Sequence, residues 1–247
     1  VSGESWNHFF GANYLSFSEV ILSPERTAYE LEAITKRLGL AKGMRVLDLG
    51  CGQGRMSMAL AKQGIQVVGY DGSAALLEEA RRRAAEQGTV VDFLLGDMRE
   101  LQADQEFDAV INIGTAFGYI EDEDGDREII RRVHRALKPG GLFLQETENR
   151  DFKLRQLYNT WEKMHDRLVF SRRTFNHQTG RWTEELNWYV EGEREGALLE
   201  LRLYTAAELV SMTEAAGLTV QELHGGFDLS PFSLTSPRLL IISEKRC

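Results

Sequence analysis

The residues with the clearest chemical capacity sit in one short stretch, Val46-Leu47-Asp48-Leu49-Gly50-Cys51-Gly52-Gln53-Gly54, where an apolar run ends in an acid and three alternating glycines. Glycine adopts positive φ without steric penalty and lets backbone N–H groups approach a ligand, so the turn suits a nucleotide-like molecule; the plain alternative is a structural turn. The glycines stand at 50, 52 and 54 rather than in the G-x-G-x-x-G spacing that seats a pyrophosphate on a helix N-terminus. No Lys-Ser/Thr pair follows, which excludes a phosphate-binding P-loop of that type.

Two more acids follow later apolar runs. Asp71 stands where a strand-end carboxylate can accept hydrogen bonds from both hydroxyls of a ribose, and Gly96-Asp97-Met98 offers a carboxylate to an adenine amino group with an apolar side chain against the ring. Candidate groups for an acceptor cavity or a base are His8, Tyr14, Tyr119 and Glu146, with His165 and His224 as further base candidates and Trp6, Phe9, Phe10 and Phe117 as aromatic walls; Glu146 has a second reading as a structural acid bonded to backbone amides. Two cysteines, Cys51 within the turn and Cys247 at the end, supply neither a disulfide framework nor a placed nucleophile. The acidic run from Glu121 to Asp126 reads as charge at a helix N-terminus, so no metal is expected.

Those residues need a scaffold. At 247 residues and 43% hydrophobic content the chain can bury one sizeable core. Short apolar runs at 45–49, 66–70, 90–94, 107–113, 141–146, 218–223 and 237–244 alternate with helix-patterned segments at 54–62, 74–86, 124–137 and 206–216, the rhythm of a sheet covered by helices on both faces. Ser23-Pro24-Glu25 caps an earlier helix, and Ser73 caps the helix after Asp71. Between 151 and 204 the rhythm breaks into three strands at 167–176, 181–190 and 197–204 joined by Gly-containing turns, an inserted antiparallel meander. The expected division is an N-terminal helical arm at 1–43, a cofactor-binding core at 44–150, the insertion at 151–204 and a C-terminal completion of the sheet at 205–247.

A net charge of -9 opposes nucleic acid as a partner, and no apolar run reaches the length that spans a bilayer. Without a signal-peptide layout or a disulfide framework, a cytoplasmic setting is expected.

Together the Asp-x-Gly-x-Gly-x-Gly turn, the strand-end Asp71, Gly96-Asp97-Met98, Phe107-Asp108-Ala109-Val110 and Leu137-Lys138-Pro139-Gly140-Gly141 resemble the class I S-adenosylmethionine-dependent methyltransferase family over about residues 44–141. The resemblance implies a Rossmann-like α/β fold in three layers, a seven-stranded sheet with its last strand antiparallel. It implies S-adenosylmethionine as methyl donor and S-adenosylhomocysteine as product. Asp48, Gly50, Cys51, Gly52 and Gly54 would then line the methionine part, Asp71 and Gly72 the ribose, and Asp97 and Met98 the adenine. Asn112, Ile113 and Phe117 would line the floor near the donor methyl, and Tyr14 and Arg26 would address the methionyl carboxylate.

The expected reaction is methyl transfer to nitrogen or oxygen of a small metabolite, driven mainly by in-line positioning. Nitrogen is favoured because no base stands out. The rival readings are a fold relative that binds the cofactor for a non-methylating cyclisation or isomerisation, and a ligand-responsive binding protein. The aromatics of the insertion read first as packing of a sheet face and second as a lid or homodimer contact, and the insertion with the N-terminal helix is expected to shape the acceptor cavity.

Overall fold

In the computed structural model the residues described are 6–11, 14–15, 22–164 and 167–246. A short helix α1 (Trp6–Phe9) precedes α2 (Pro24–Arg37), which starts at Ser23, whose hydroxyl accepts from the Arg26 N–H at 3.2 Å, with Pro24 in the first turn. Then follow β1 (Arg45–Leu49), α3 (Arg55–Ala61), β2 (Gln66–Asp71), α4 (Ala74–Glu86), β3 (Asp92–Leu95), β4 (Phe107–Asn112), α5 (Glu123–Ala136), β5 (Leu137–Glu148) and α6 (Arg150–Lys153). An inserted sheet of β6 (Thr160–Met164), β7 (Arg167–Asn176), β8 (Arg181–Val190) and β9 (Glu193–Arg202) leads to α7 (Ala206–Ala215), β10 (Thr219–His224) and β11 (Arg238–Glu244).

The main sheet has the order β10-β11-β5-β4-β1-β2-β3, with β1 to β5 parallel and β11 antiparallel to both neighbours. The seven strands and the reversed last strand agree with the sequence reading. Alternate residues of each strand face opposite sides, so Val46, Ile111 and Leu240 pack under α2 and α3, while Leu47, Val110 and Ile241 pack under α5 and α7. The chain runs outward from β1 to β3 and then returns to place β4 on β1's other side. The loops at the carboxyl ends of β1 and β4 therefore part, opening the crevice where α/β sheets bind ligands.

Two expectations need correction. Strand β5 begins at Leu137 rather than Gly141, because Leu137 pairs with Phe107 across a register shift and Lys138 bonds Asp108 at 2.6 Å. The insertion has four strands in the sequential order β6-β7-β8-β9, not three. Its β8–β9 hairpin turns on Glu191 and Gly192, both at positive φ (50° and 88°), the geometry whose twist matches that of the paired strands. One face of the insertion buries Val169, Trp182 and Trp188; α1 packs against β9. The β4–α5 loop is stitched to the insertion by the Arg202 N–H on the Gly118 carbonyl at 2.7 Å, Arg181 on the Ile120 carbonyl at 2.5 Å, and an Arg202–Glu123 ion pair at 2.6 Å.

Candidate active site

A cleft of about 710 Å³ opens at the carboxyl ends of β1 to β4. A smaller one of about 440 Å³ adjoins it through Tyr14, Gly50, Gly52 and Gly114. The smaller chamber reaches Asp48, Cys51, Arg55 and Ile113; the larger reaches Asp71, Gly72, Asp97 and Met98. The chemistry-bearing loops singled out in the sequence thus converge on one continuous space.

Asp48 is buried at the end of β1, and its carboxylate accepts from the Ser57 hydroxyl at 2.5 Å. Burial pushes its carboxyl up to about 6 against the opposing pull of that hydrogen bond and of Arg55. Asp71 accepts from the Gly52 and Ser73 N–H groups, each at 2.8 Å, so it locks the glycine turn while its remaining lone pairs face the cleft. Burial raises its carboxyl too, outweighing those bonds. For Asp97 burial works upward as well, but hydrogen bonds from the Arg99 guanidinium and N–H prevail and hold it below the usual range.

The turn's glycines separate by role. A Cβ on Gly50 (φ 79°) would lie 2.5 Å from the Ala116 Cβ and 2.8 Å from the Met98 Cε, so the wall of the cleft leaves no room for one. Gly54 lines neither chamber. A Cβ there would meet the Phe93 ring at 2.7 Å, so this glycine lets α3 dock on the sheet, a correction to its expected ligand role.

Other placements also differ. Arg26 lines neither chamber; its Nε bonds Glu30 at 2.7 Å, and Glu30 in turn pairs with Arg55 at 2.5 Å. Arg55, which the sequence reading passed over, is the cation that reaches the cleft among the described residues. Phe117 is buried against Tyr204 with ring centroids 5.8 Å apart and lines neither chamber, although Ala116 and Gly118 beside it line the larger one. The Asn112 side chain donates to the Leu49 carbonyl at 2.7 Å and braces the turn from below. Glu146 is fully buried; it accepts from the Gly114 N–H at 2.6 Å and the Thr115 N–H at 3.3 Å, and pairs with Arg238. That is its structural reading, and it removes Glu146 from the candidate bases. Arg238 also bonds the Thr115 hydroxyl at 2.5 Å, fixing a floor in which Gly114 and Thr115 both have positive φ.

Tyr14 lies at the junction of the chambers, and Tyr119 lines the larger one. Phe10 links them edge-on, with centroids 4.9 Å from Tyr14 and 5.1 Å from Tyr119, while the Trp6 indole covers Gly72 so closely that a Cβ there would lie 2.5 Å from it. Burial raises both phenols, so they stay protonated. The side chain of His8 and all of His165 fall outside the described residues. No described histidine lines the cleft, and the described residues hold no group of three metal-ligating side chains. No described helix is long and apolar enough to cross a membrane.

A family model for a methyltransferase domain matches residues 46–141. The cypemycin N-terminal methyltransferase of Streptomyces sp. is 30% identical over 83% of this chain and 84% of that protein. The chain belongs to the class I S-adenosylmethionine-dependent methyltransferases. The ubiquinone biosynthesis O-methyltransferase of Pseudomonas aeruginosa (strain LESB58) is 37% identical over 49% of this methyltransferase and 50% of its own length. The solved CcbJ methyltransferase of Streptomyces caelestis superposes with a TM-score of 0.84 at 22% identity, covering 100% of both chains, so the methyltransferase fold extends through the insertion.

The residues present fit the cofactor. An acid stands at each of three strand ends along one cleft, an arginine opens on the chamber of Asp48, and Gly50 leaves the wall between the chambers open.

Proposed function

We propose that this methyltransferase transfers a methyl group to nitrogen or oxygen of a small molecule, and that the three strand-end acids hold the donor along the cleft. Asp48 takes the ammonium and Arg55 the carboxylate of the methionyl part, Asp71 the ribose hydroxyls, and Asp97 with Met98 the adenine. When bound, S-adenosylmethionine supplies a methyl already activated by its sulfonium. The chain's task is then to orient and to exclude water. Tyr14, Phe10 and Tyr119 close the space beside Gly114, and the Glu146–Arg238 pair keeps that floor rigid.

The single observation that carries this reading is the alignment of Asp48, Asp71 and Asp97 on one continuous cleft. The absence of a histidine among the described lining residues, with both phenols protonated, favours an acceptor that needs little base assistance, as a neutral amine does. The named relatives are an N-terminal methyltransferase and an O-methyltransferase, and the second supports keeping oxygen beside nitrogen. Calorimetry with S-adenosylhomocysteine tests the assignment: Asp71→Asn should weaken binding by about 10- to 100-fold, the worth of a charged hydrogen bond, and unchanged affinity would remove Asp71 from the ribose.

The homodimer reading belongs to this proposal. The outer face of the insertion exposes Trp161 paired with Phe170, Lys163 with Leu168, Arg172 with Glu185, and Tyr189 with Arg194. In a chain of net charge -9, this face sets apolar side chains among charges of both signs, so a second copy docking there would not meet a field of one sign. A buried, reduced Cys51 suits the cytoplasmic setting.

A further inference from the structure

Among the described residues, four carboxylates border the two chambers, and the reading above uses three. Asp48, Asp71 and Asp97 answer the cofactor's ammonium, its ribose hydroxyls and its exocyclic amine. Those are all of its strong hydrogen-bond donors. The fourth, Asp126 in the first turn of α5, lines the larger chamber and has no cofactor donor left to meet.

Asp126 is fully buried. The Tyr204 hydroxyl donates to its Oδ2 at 2.6 Å, and its Oδ1 has no hydrogen-bond partner. Its charged surroundings are Arg181, Arg202 and Glu123. Arg202 spends Nη1 on Glu123, and Arg181 spends Nη2 on the Ile120 carbonyl. Neither guanidinium bonds Asp126. Burial is the largest influence on its carboxyl and pushes it up to about 7. A buried carboxylate oxygen without a donor is destabilising, and it becomes favourable when a ligand supplies a donor, most of all a cationic one.

The chamber around it matches that demand. Ile120, Ile129 and Met98 give it apolar walls, and its described lining residues include acids but no lysine, arginine or histidine. Such a space attracts a cation with an apolar body and repels an anion.

We propose that Asp126 Oδ1 receives a protonated amine of the methyl acceptor, which assigns the acceptor to small amines with apolar bodies and makes Asp126 a specificity-determining residue. The inference rests on the cofactor reading above, since it is by elimination against the cofactor's donors that Asp126 faces the acceptor. A nitrogen held there as an ammonium has no lone pair for the methyl, so Asp126 positions the acceptor through that group while another nitrogen or oxygen of the acceptor, brought in line with the sulfonium, takes the methyl.

The test is calorimetry in two stages. Wild type and Asp126→Asn, an isosteric change that leaves an oxygen to accept from Tyr204, are first titrated with S-adenosylhomocysteine. The loaded proteins are then titrated with phenethylamine and cyclohexylamine, and with phenethyl alcohol and cyclohexanol as neutral counterparts. Expected are equal affinities of both proteins for S-adenosylhomocysteine, a preference of wild type for amine over alcohol of about tenfold or more, and loss of that preference in Asp126→Asn. Tyr204→Phe, which keeps the carboxylate, should retain the preference and guards against a merely unfolded variant.

Equal binding of amines and alcohols, an amine preference that survives Asp126→Asn, or no saturable amine binding by wild type at millimolar concentrations would overturn the proposal. So would a large loss of S-adenosylhomocysteine affinity in Asp126→Asn, because Asp126 would then be reading the adenine. Failure of wild type to bind S-adenosylhomocysteine in the first stage would overturn the cofactor reading itself, and this inference with it.

Discussion

Asp48 should make cofactor affinity and protein stability respond to pH with opposite slopes. Its carboxyl is fully buried and raised from the usual 3.8 to about 6 without ligand, chiefly by burial. A raised acid stabilises the folded state fully below the unfolded value near 4, and that contribution is lost as pH rises through 6. The rise corresponds to about 3 kcal/mol over the whole span, of which about half is already lost by pH 5, so the unliganded protein should be about 1.4 kcal/mol less stable at pH 8 than at pH 5 from this group. Binding runs the other way. The ammonium of S-adenosylhomocysteine is attracted to the ionised carboxylate, which about one molecule in ten carries at pH 5, so affinity there should be about tenfold below its plateau at pH 8 and about twofold below it at pH 6.

Calorimetric titration from pH 5 to 8 measures the profile, with Asp48→Asn as the control because the amide oxygen can still accept from Ser57. The variant should bind more weakly but with a flatter profile. A flat profile in wild type, or an unchanged slope in Asp48→Asn, would refute the assignment; in the second case the neighbouring Asp71, whose carboxyl burial also raises, would carry the dependence.

Arg238→Met should destabilise the protein by about 3–5 kcal/mol, because it leaves Glu146 and Glu148 without their shared cation; thermal unfolding within about 1 kcal/mol of wild type would contradict the role given to that pair. Gly54→Ala should cost about 2–4 kcal/mol from its left-handed φ of 74° and the collision with Phe93, measured by urea unfolding. Methyl transfer should survive exhaustive chelation, and strict loss with rescue by magnesium would reverse the metal-free reading. Phe170→Glu should yield monomers by light scattering if the outer face of the insertion pairs two copies, whereas a wild type that is itself monomeric would end that part of the proposal.

Much of the site was legible because its parts are local. The turn from Asp48 to Gly54 joins an apolar run to a helix within a few residues, and Asp71 and Asp97 each follow their own strand directly, so spacing alone carried them to the same end of the sheet. Insertion strand β6 escaped notice because the adjacent Glu162 and Lys163 break the period-two pattern of Thr160–Met164, and what makes it a strand is its pairing with β7. Arg55 was passed over in favour of Arg26, since nothing local says which of two arginines will turn to Glu30 and which will also open on the cleft.

The sequence by itself determined the cofactor turn, the alternation of strands and helices, and the three acids at strand ends, because backbone propensity, burial period and turn chemistry act over a few residues. Only the tertiary structure decided the partners. It set Glu146 against Arg238 from 92 residues away and turned a candidate base into a brace. It brought Tyr204 across 78 residues to one oxygen of Asp126 and left the other buried without a partner in a residue that lines the chamber, so an acid that reads as helix-terminal charge became a candidate recognition group. Burial and pairing are properties of the assembled layers, and they decide what a carboxylate can do.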